Sequence, residues 1–194
     1  VGFNLVKTLE RKKIKALAFG RKTENFKNKN FKYVKFFFKD IYKNKKIFKD
    51  FGAPDILIHL AWEGLPNYQE KFHLEKNLPN DLSFLKRAIN AGVKQIIISG
   101  TCYEYGKQEG CLSEDNKTIP YTKYAKAKDQ LRKKLEKINI KKKFVLQWIR
   151  IFYPFGKYQN ERSLLPSLDK AIKQGKKKFG ITAKTIVRDF IPIN

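Results

Sequence analysis

Apolar residues at positions 1, 5, 6 and 9 fall on one helical face, so residues 1–10 are predicted to form a helix. The run IKALAF at 14–19, closed by Gly20-Arg21-Lys22, reads as a short strand, and residues 31–38 read as a second. Residues 41–51 are predicted helical and very basic. DILIHLAW at 55–62 is almost continuously apolar, the pattern of a strand buried on both faces of a parallel sheet. A helix over 78–91 stops at Gly92, a strand follows at 96–99, and a long helix covers 121–138. Residues 144–152 form a further apolar strand, 164–174 a helix closed by Gly175, and 185–193 a last strand. Strands alternating with helices predict an α/β fold built on a parallel sheet. The stretch 109–119 is the most loop-like, and the chain shows no internal repeat or linker.

The candidate chemistry gathers between Ile96 and Lys128. A β-branched run, Ile96-Ile97-Ile98, ends in Ser99, Gly100 and Thr101, and the following helix carries Tyr124 and Lys128. Residues four apart share a helix face, one turn from each other. A phenol beside an ammonium is expected to ionise more readily. Such a phenol can exchange a proton with a carbonyl or an alcohol near neutral pH. Thr101 is then the hydrogen-bond partner, Tyr124 the acid or base and Lys128 its electrostatic tuner. Spacing alone does not select this pair, because Tyr42/Lys46, Tyr103/Lys107 and Tyr153/Lys157 repeat it. Only Tyr124 follows both a hydrophobic strand with a hydroxyl terminus and a helix entry marked by Pro120.

Composition narrows the partners. The net charge is +25, and of 43 Lys and Arg only seven are Arg. The excess is spread over nearly every segment and is lysine, whereas base and bidentate phosphate recognition favour arginine. Nonspecific polyanion binding at low salt is expected, and a specific nucleic-acid function is not. No run approaches the eighteen or so apolar residues of a membrane span, and no signal peptide opens the sequence, so a cytoplasmic protein without a membrane partner is expected. Cys102 and Cys111 match neither a zinc pattern nor a disulfide framework. No metal site is expected.

These motifs, taken in order, resemble an extended short-chain dehydrogenase/reductase of the nucleotide-sugar epimerase/dehydratase type, over essentially the whole chain. GFNLVKTL is similar to the end of that family's glycine turn and its first helix, with Gly2 as the third glycine. DILIHLA resembles the strand lining the cofactor, SGTCYEYG the stretch bearing the catalytic hydroxyl, and YAKAK the Tyr-x-x-x-Lys helix. RIFYPFG and VRDFIPI resemble segments bordering the substrate. The resemblance implies a Rossmann-like doubly wound parallel sheet over residues 1–150, with residues 151–194 beginning a small substrate lobe. It further implies that an opening strand, two glycines and most of that lobe lie outside these 194 residues.

The resemblance assigns Thr101, Tyr124 and Lys128 as catalytic, with Lys128 also bonding the nicotinamide ribose. Gly2, Arg21, Asp40, Ile41, Leu60 and Ala61 would line an NADP or NAD site, and Tyr153 and Arg188 would face a nucleotide-activated sugar. Gly20-Arg21-Lys22, in place of an acidic side chain, leans towards the 2′-phosphate of NADP. Dehydratases of the family carry Asp-Glu after the threonine, where this chain has Cys102 and Tyr103, so elimination of water is not expected. The segments HLAWEGLPNY, SGTCYEYG and FYPFG are most similar to dTDP-6-deoxyhexose 4-dehydrogenase or 4-ketoreductase types. That implies 4-keto reduction of a nucleotide-linked deoxysugar, with 4-epimerisation or a non-catalytic truncated remnant as alternatives. Helices 78–91 and 121–138 would form a two-fold contact in a homodimer. His59 is read as packed core, Cys102 as a small buried hydrophobe, and Trp62 and Tyr68 as sugar platforms or core covers. Arg150 either orients a substrate loop or pairs with Asp189.

Overall fold

The computed structural model describes residues 1–20, 31–161, 163–181 and 187–193. Helix α1 (Gly2–Arg11) leads into strand β1 (Ala16–Gly20), which pairs in parallel with β2 (Val34–Phe38). Glu10, near the end of α1, holds the start of β2 by accepting from the backbone N–H groups of Lys32, Tyr33 and Val34 at 2.7–3.0 Å. A short helix α2 (Ile47–Phe51) precedes β3 (Ile56–His59). Then come one π-helical turn (His73–Asn77), helix α3 (Leu78–Asn90) and strand β4 (Gln95–Thr101). A 3₁₀ turn (Cys102–Glu104), helix α4 (Lys123–Lys142), strands β5 (Val145–Ile151) and β6 (Tyr153–Phe155), helix α5 (Leu164–Lys173) and β7 (Phe190–Pro192) complete the order.

Strands β3, β4 and β5 form one parallel sheet with β4 central, and β6 pairs in parallel with β7. Register explains the core. The rows Leu57–Ile96–Leu146 and His59–Ile98–Trp148 share one sheet face, because parallel partners point the same way. That face packs on Phe84, Leu85 and Ala88 of α3 and Ala127, Leu131 and Leu135 of α4. The opposite face is more open, with Ile56 51 %, Val145 55 % and Ile149 49 % exposed. The expectation that 55–62 is a strand buried on both faces is therefore corrected. The strand is Ile56–His59, and its first residue is half open to solvent.

Two other expectations change. Residues 41–46 are turns, because the Asp40 carboxylate accepts from the backbone N–H groups of Tyr42 (2.9 Å) and Lys43 (3.4 Å) and ends the preceding strand in a local turn. The last strand covers only Phe190–Pro192, and its expected start at 185–186 lies outside the described residues. Glycine is required at two places near the sheet edge. A Cβ on Gly100 would lie 2.2 Å from Trp148 Nε1, and one on Gly106 (φ +81°) would lie 2.1 Å from the Ile119 carbonyl oxygen.

Candidate active site

Strand β4 ends where the sheet meets a cleft of about 740 Å³, and the way it ends sets the site. Thr101 is the last strand residue and the N-cap of the 3₁₀ turn. Its Oγ1 accepts from Tyr103 N (3.3 Å), and its own N–H donates to Glu104 Oε1 (2.8 Å), a reciprocal capping box. This arrangement fixes the Thr101 side chain at the cleft floor. Helix α4 opens with Thr122 as its cap, accepting from Ala125 N at 3.1 Å. The next free amide of the first turn, Tyr124 N, donates to the Tyr68 carbonyl at 3.0 Å, so the loop before α3 completes the helix start. Tyr124 and Lys128 then project from one face of α4, both buried and both lining the cleft.

The expected trio is thus brought together. Burial raises the Tyr124 phenol well above its ordinary value, and a hydrogen bond with the Thr101 side chain pulls it partly back. The expectation that the lysine makes this phenol more acidic is corrected. Lys128 Nζ instead donates to the Ser99 carbonyl (2.8 Å) and lies 4.0 Å from the centre of the Trp62 ring. Burial lowers Lys128 to about 8, against the raising pull of Asp81 and Glu104. The raised value of the Tyr124 phenol keeps it protonated at neutral pH.

The remaining candidates divide. Gly2, Leu60, Tyr153 and Arg188 line the same cleft. The Arg188 guanidinium lies over the Tyr153 ring at 4.8 Å. Ala61 adjoins Leu60 but does not line the cleft, and neither do Asp40, which shapes its own turn, and Ile41, which packs on the core. Arg21 lies outside the described residues. Cys102 is partly buried on the cleft wall, where burial raises its thiol and hydrogen bonds with Thr101 and Tyr153 lower it. Tyr68 also lines the cleft, its ring 5.7 Å from that of Tyr124 and 5.1 Å from that of Tyr103. His59 pairs with Asp81 at 3.0 Å inside the core, as its apolar strand predicts.

Two groups escape a reading of the sequence. Glu104, fully buried, accepts from Thr101 N, Trp148 Nε1 (3.0 Å to Oε2) and Arg150 Nε (3.2 Å). Arg150 thus pairs with Glu104, and its Nη1 donates to the Tyr105 hydroxyl and the Glu114 carbonyl, so its ion-pair partner is Glu104 rather than Asp189, one of the two alternatives read from the sequence. The second is His73, fully buried under Trp62 and 5.4 Å from the Tyr124 ring. Among the described residues, no cluster of three or more His, Cys, Asp or Glu is arranged to hold a metal ion. Among the described residues, no acidic side chain lines the cleft.

Comparison with known proteins places this geometry. The chain is 26% identical over 140 residues to the dTDP-6-deoxy-L-talose 4-dehydrogenase (NAD(+)) of Aggregatibacter actinomycetemcomitans, covering 72% of this chain and 52% of that protein. It superposes on the UDP-N-acetylglucosamine 4-epimerase of Methanobrevibacter ruminantium with a TM-score of 0.82 at 24% identity, covering 99% of this chain and 65% of that one. For the UDP-glucose 4-epimerase of Thermotoga maritima the values are 0.83 and 19%, covering 98% and 65%. The chain therefore spans about half the length of the curated relative and just under two thirds of these solved structures. The neighbours establish a Rossmann-type α/β fold. The sequence model of the NAD dependent epimerase/dehydratase family matches residues 1–194, and the chain belongs to that family.

Proposed function

We propose that this chain carries the catalytic half of an oxidoreductase that interconverts the 4-keto and 4-hydroxy forms of a nucleotide-activated deoxysugar. The observation that carries the reading is the buried Tyr124 phenol beside Thr101, with Lys128 on the same cleft wall. The dTDP-6-deoxy-L-talose 4-dehydrogenase relative supports the substrate class. Tyr124 delivers its proton to the sugar carbonyl oxygen, and Thr101 orients that oxygen and the phenol together. In the reverse direction the phenolate takes the hydroxyl proton. Tyr153 and Arg188 border the sugar nucleotide, Arg188 being the cation placed for its phosphates. Dehydration is disfavoured, since Cys102 and Tyr103 occupy the positions after Thr101 and no carboxylate lines the cleft among the described residues.

The cleft also suits a nicotinamide dinucleotide. Helix α1 opens onto it at Val1 and Gly2 with no capping side chain and no acidic residue in its first turn. Gly2 lies beside Leu60, just past the end of β3, at a spacing where an added Cβ would make only ordinary contact (3.8 Å). Free N–H groups at a helix start favour a pyrophosphate. Ser99, Leu60 and Lys128 would line the nicotinamide end. Such a cofactor, when bound, supplies or accepts the hydride that accompanies the Tyr124 proton. The named relative uses NAD(+), and this favours NAD over the NADP suggested by Arg21 and Lys22.

4-Epimerisation is the second reading, because it needs the same trio and two of the structural neighbours are 4-epimerases. The separate β6–β7 pair supports reading residues 1–150 as a cofactor domain and 151–194 as the start of a substrate lobe. A cytoplasmic location fits the free cysteines, and among the described residues no helix is long and apolar enough to cross a membrane.

The reading is tested by titrating the chain with NADH and NADPH through nicotinamide fluorescence, then supplying dTDP-4-keto-6-deoxyhexose. Saturable NADH binding followed by NADH oxidation supports reduction. Epimerised product without net NADH change supports the second reading, and absence of both sinks the proposal.

A homodimer through α3 and α4 has a specific ionic signature. The exposed ridge of α4 carries Lys126, Lys133, Lys134, Lys137 and Lys141, and α3 adds Lys86. Apposed copies would repel, so the dimer fraction in sedimentation velocity is expected to rise as salt screens the lysines. Dimers that dissociate with added salt would place the contact elsewhere.

A further inference from the structure

Trp62 and His73 have no part in the proton transfer above, yet both are held in one fixed arrangement. An indole N–H can only donate, and that of Trp62 donates to His73 Nδ1 at 3.0 Å. A backbone carbonyl can only accept, and that of Asn67 lies 2.9 Å from His73 Nε2. The two partners together fix His73 as the neutral tautomer with its proton on Nε2. Burial, which lowers the His73 pKa, keeps it in that form. Asn77, one π-helical turn on, donates from Nδ2 to the Glu63 carbonyl (3.0 Å) and towards His73 Nδ1 (3.3 Å). The ring plane of Trp62 is thereby tied to both the loop and the start of α3.

That plane faces an ammonium in an expensive place. Lys128 is 1 % exposed, and its Nζ has three protons to satisfy. One goes to the Ser99 carbonyl at 2.8 Å, and the Trp62 ring centre lies 4.0 Å away. The neighbouring elements present Asp81 from α3 and Glu104 from the 3₁₀ turn, which act on Lys128 only through space. Tyr124 on its own helix and His73 on the π turn face it as neutral groups. An aromatic face is the remaining contact that stabilises the charged form, and it is strongest where water is excluded.

We propose that Trp62, locked by His73, is a positioning residue whose indole face keeps the Lys128 ammonium charged and directed at the cleft floor. The bearing of this on turnover rests on the function proposed above, whereas the effect on Lys128 itself does not. Removing the ring removes stabilisation of the charged form alone, so Lys128 should then lose its proton at lower pH.

The test uses the full chain labelled with ¹³C at the lysine ε carbon, followed by NMR from pH 6 to 11. The resonance that disappears in Lys128→Arg identifies Lys128, which is expected to titrate at about 8, apart from the solvated lysines. Trp62→Leu is expected to lower its midpoint by about one pH unit, a tenfold change in the acid dissociation constant. Trp62→Phe, which keeps a ring, should fall between the two. His73→Leu, which leaves Trp62 without its acceptor, should shift the midpoint in the same direction. A midpoint that stays put or rises in Trp62→Leu, with far-UV circular dichroism unchanged, overturns the proposal. If that variant fails to fold, an unmoved midpoint in both Trp62→Phe and His73→Leu does so instead. Because the readout is an ionisation, failure of the wild-type chain to bind NADH or turn over sugar would refute the function and leave this result standing.

Discussion

Replacing Tyr124 by Phe should cut turnover of a 4-keto sugar nucleotide about 10²–10⁴-fold, the usual contribution of a placed general acid. The ring has close neighbours in Trp62 (5.8 Å), Tyr68 (5.7 Å) and His73 (5.4 Å), so phenylalanine keeps the packing and loses only the hydroxyl. NADH affinity and thermal stability should stay near wild type. The pH dependence follows from the direction of the shift. Burial raises the phenol, so the acid form needed for reduction persists through neutral pH and is lost only as pH climbs past the raised value. Dehydrogenation, which needs the phenolate, should instead accelerate with rising pH. A Tyr124→Phe variant whose KM rises while kcat is unchanged would remove the phenol from the chemistry.

Glu104→Ala should destabilise the fold by about 3–5 kcal/mol, the cost of breaking a buried ion pair from one side. Its loss strands the Arg150 guanidinium, the Trp148 indole N–H and the Thr101 backbone N–H, all of which donate to this carboxylate. With a urea m-value of about 2 kcal/mol/M, the midpoint of unfolding should fall by roughly 2 M. Glu104→Gln keeps an acceptor and should cost less. A midpoint within about 0.3 M of wild type for the alanine variant, on the same urea scale, would show that the cluster relaxes or hydrates at little cost.

How much of this was legible in the chain depended on how local its cause was. The strand ending in Ser99-Gly100-Thr101 and the helix carrying Tyr124 and Lys128 are set by β-branched residues, a proline and helical spacing, and all three side chains meet as expected. The basic segment at 41–46 was harder, because the Asp40 turn competes with helix over only a few residues. Glu104 was invisible for a different reason. Its donors lie 44 and 46 residues away on β5, and only the β4–β5 register brings Trp148 and Arg150 against the turn after Thr101. Spacing placed Lys128 near Tyr124 but could not say where its ammonium points, which depends on Ser99 and Trp62. His73 carries no motif signal, since a lone histidine between Phe72 and Leu74 reads as packing until the π turn sets it under Trp62.

The bond from Tyr124 N to the Tyr68 carbonyl has a kinetic meaning. The helix bearing Tyr124 borrows its first-turn partner from the same loop that walls the cleft, so retracting the loop would take from Tyr124 both its amide's acceptor and one of its ring neighbours, Tyr68. Opening the wall and unseating the acid are then a single event. On the function proposed above, a state open enough to exchange sugar with solvent would be one in which Tyr124 is out of line. Proton transfer would then be confined to the interval in which the wall is shut.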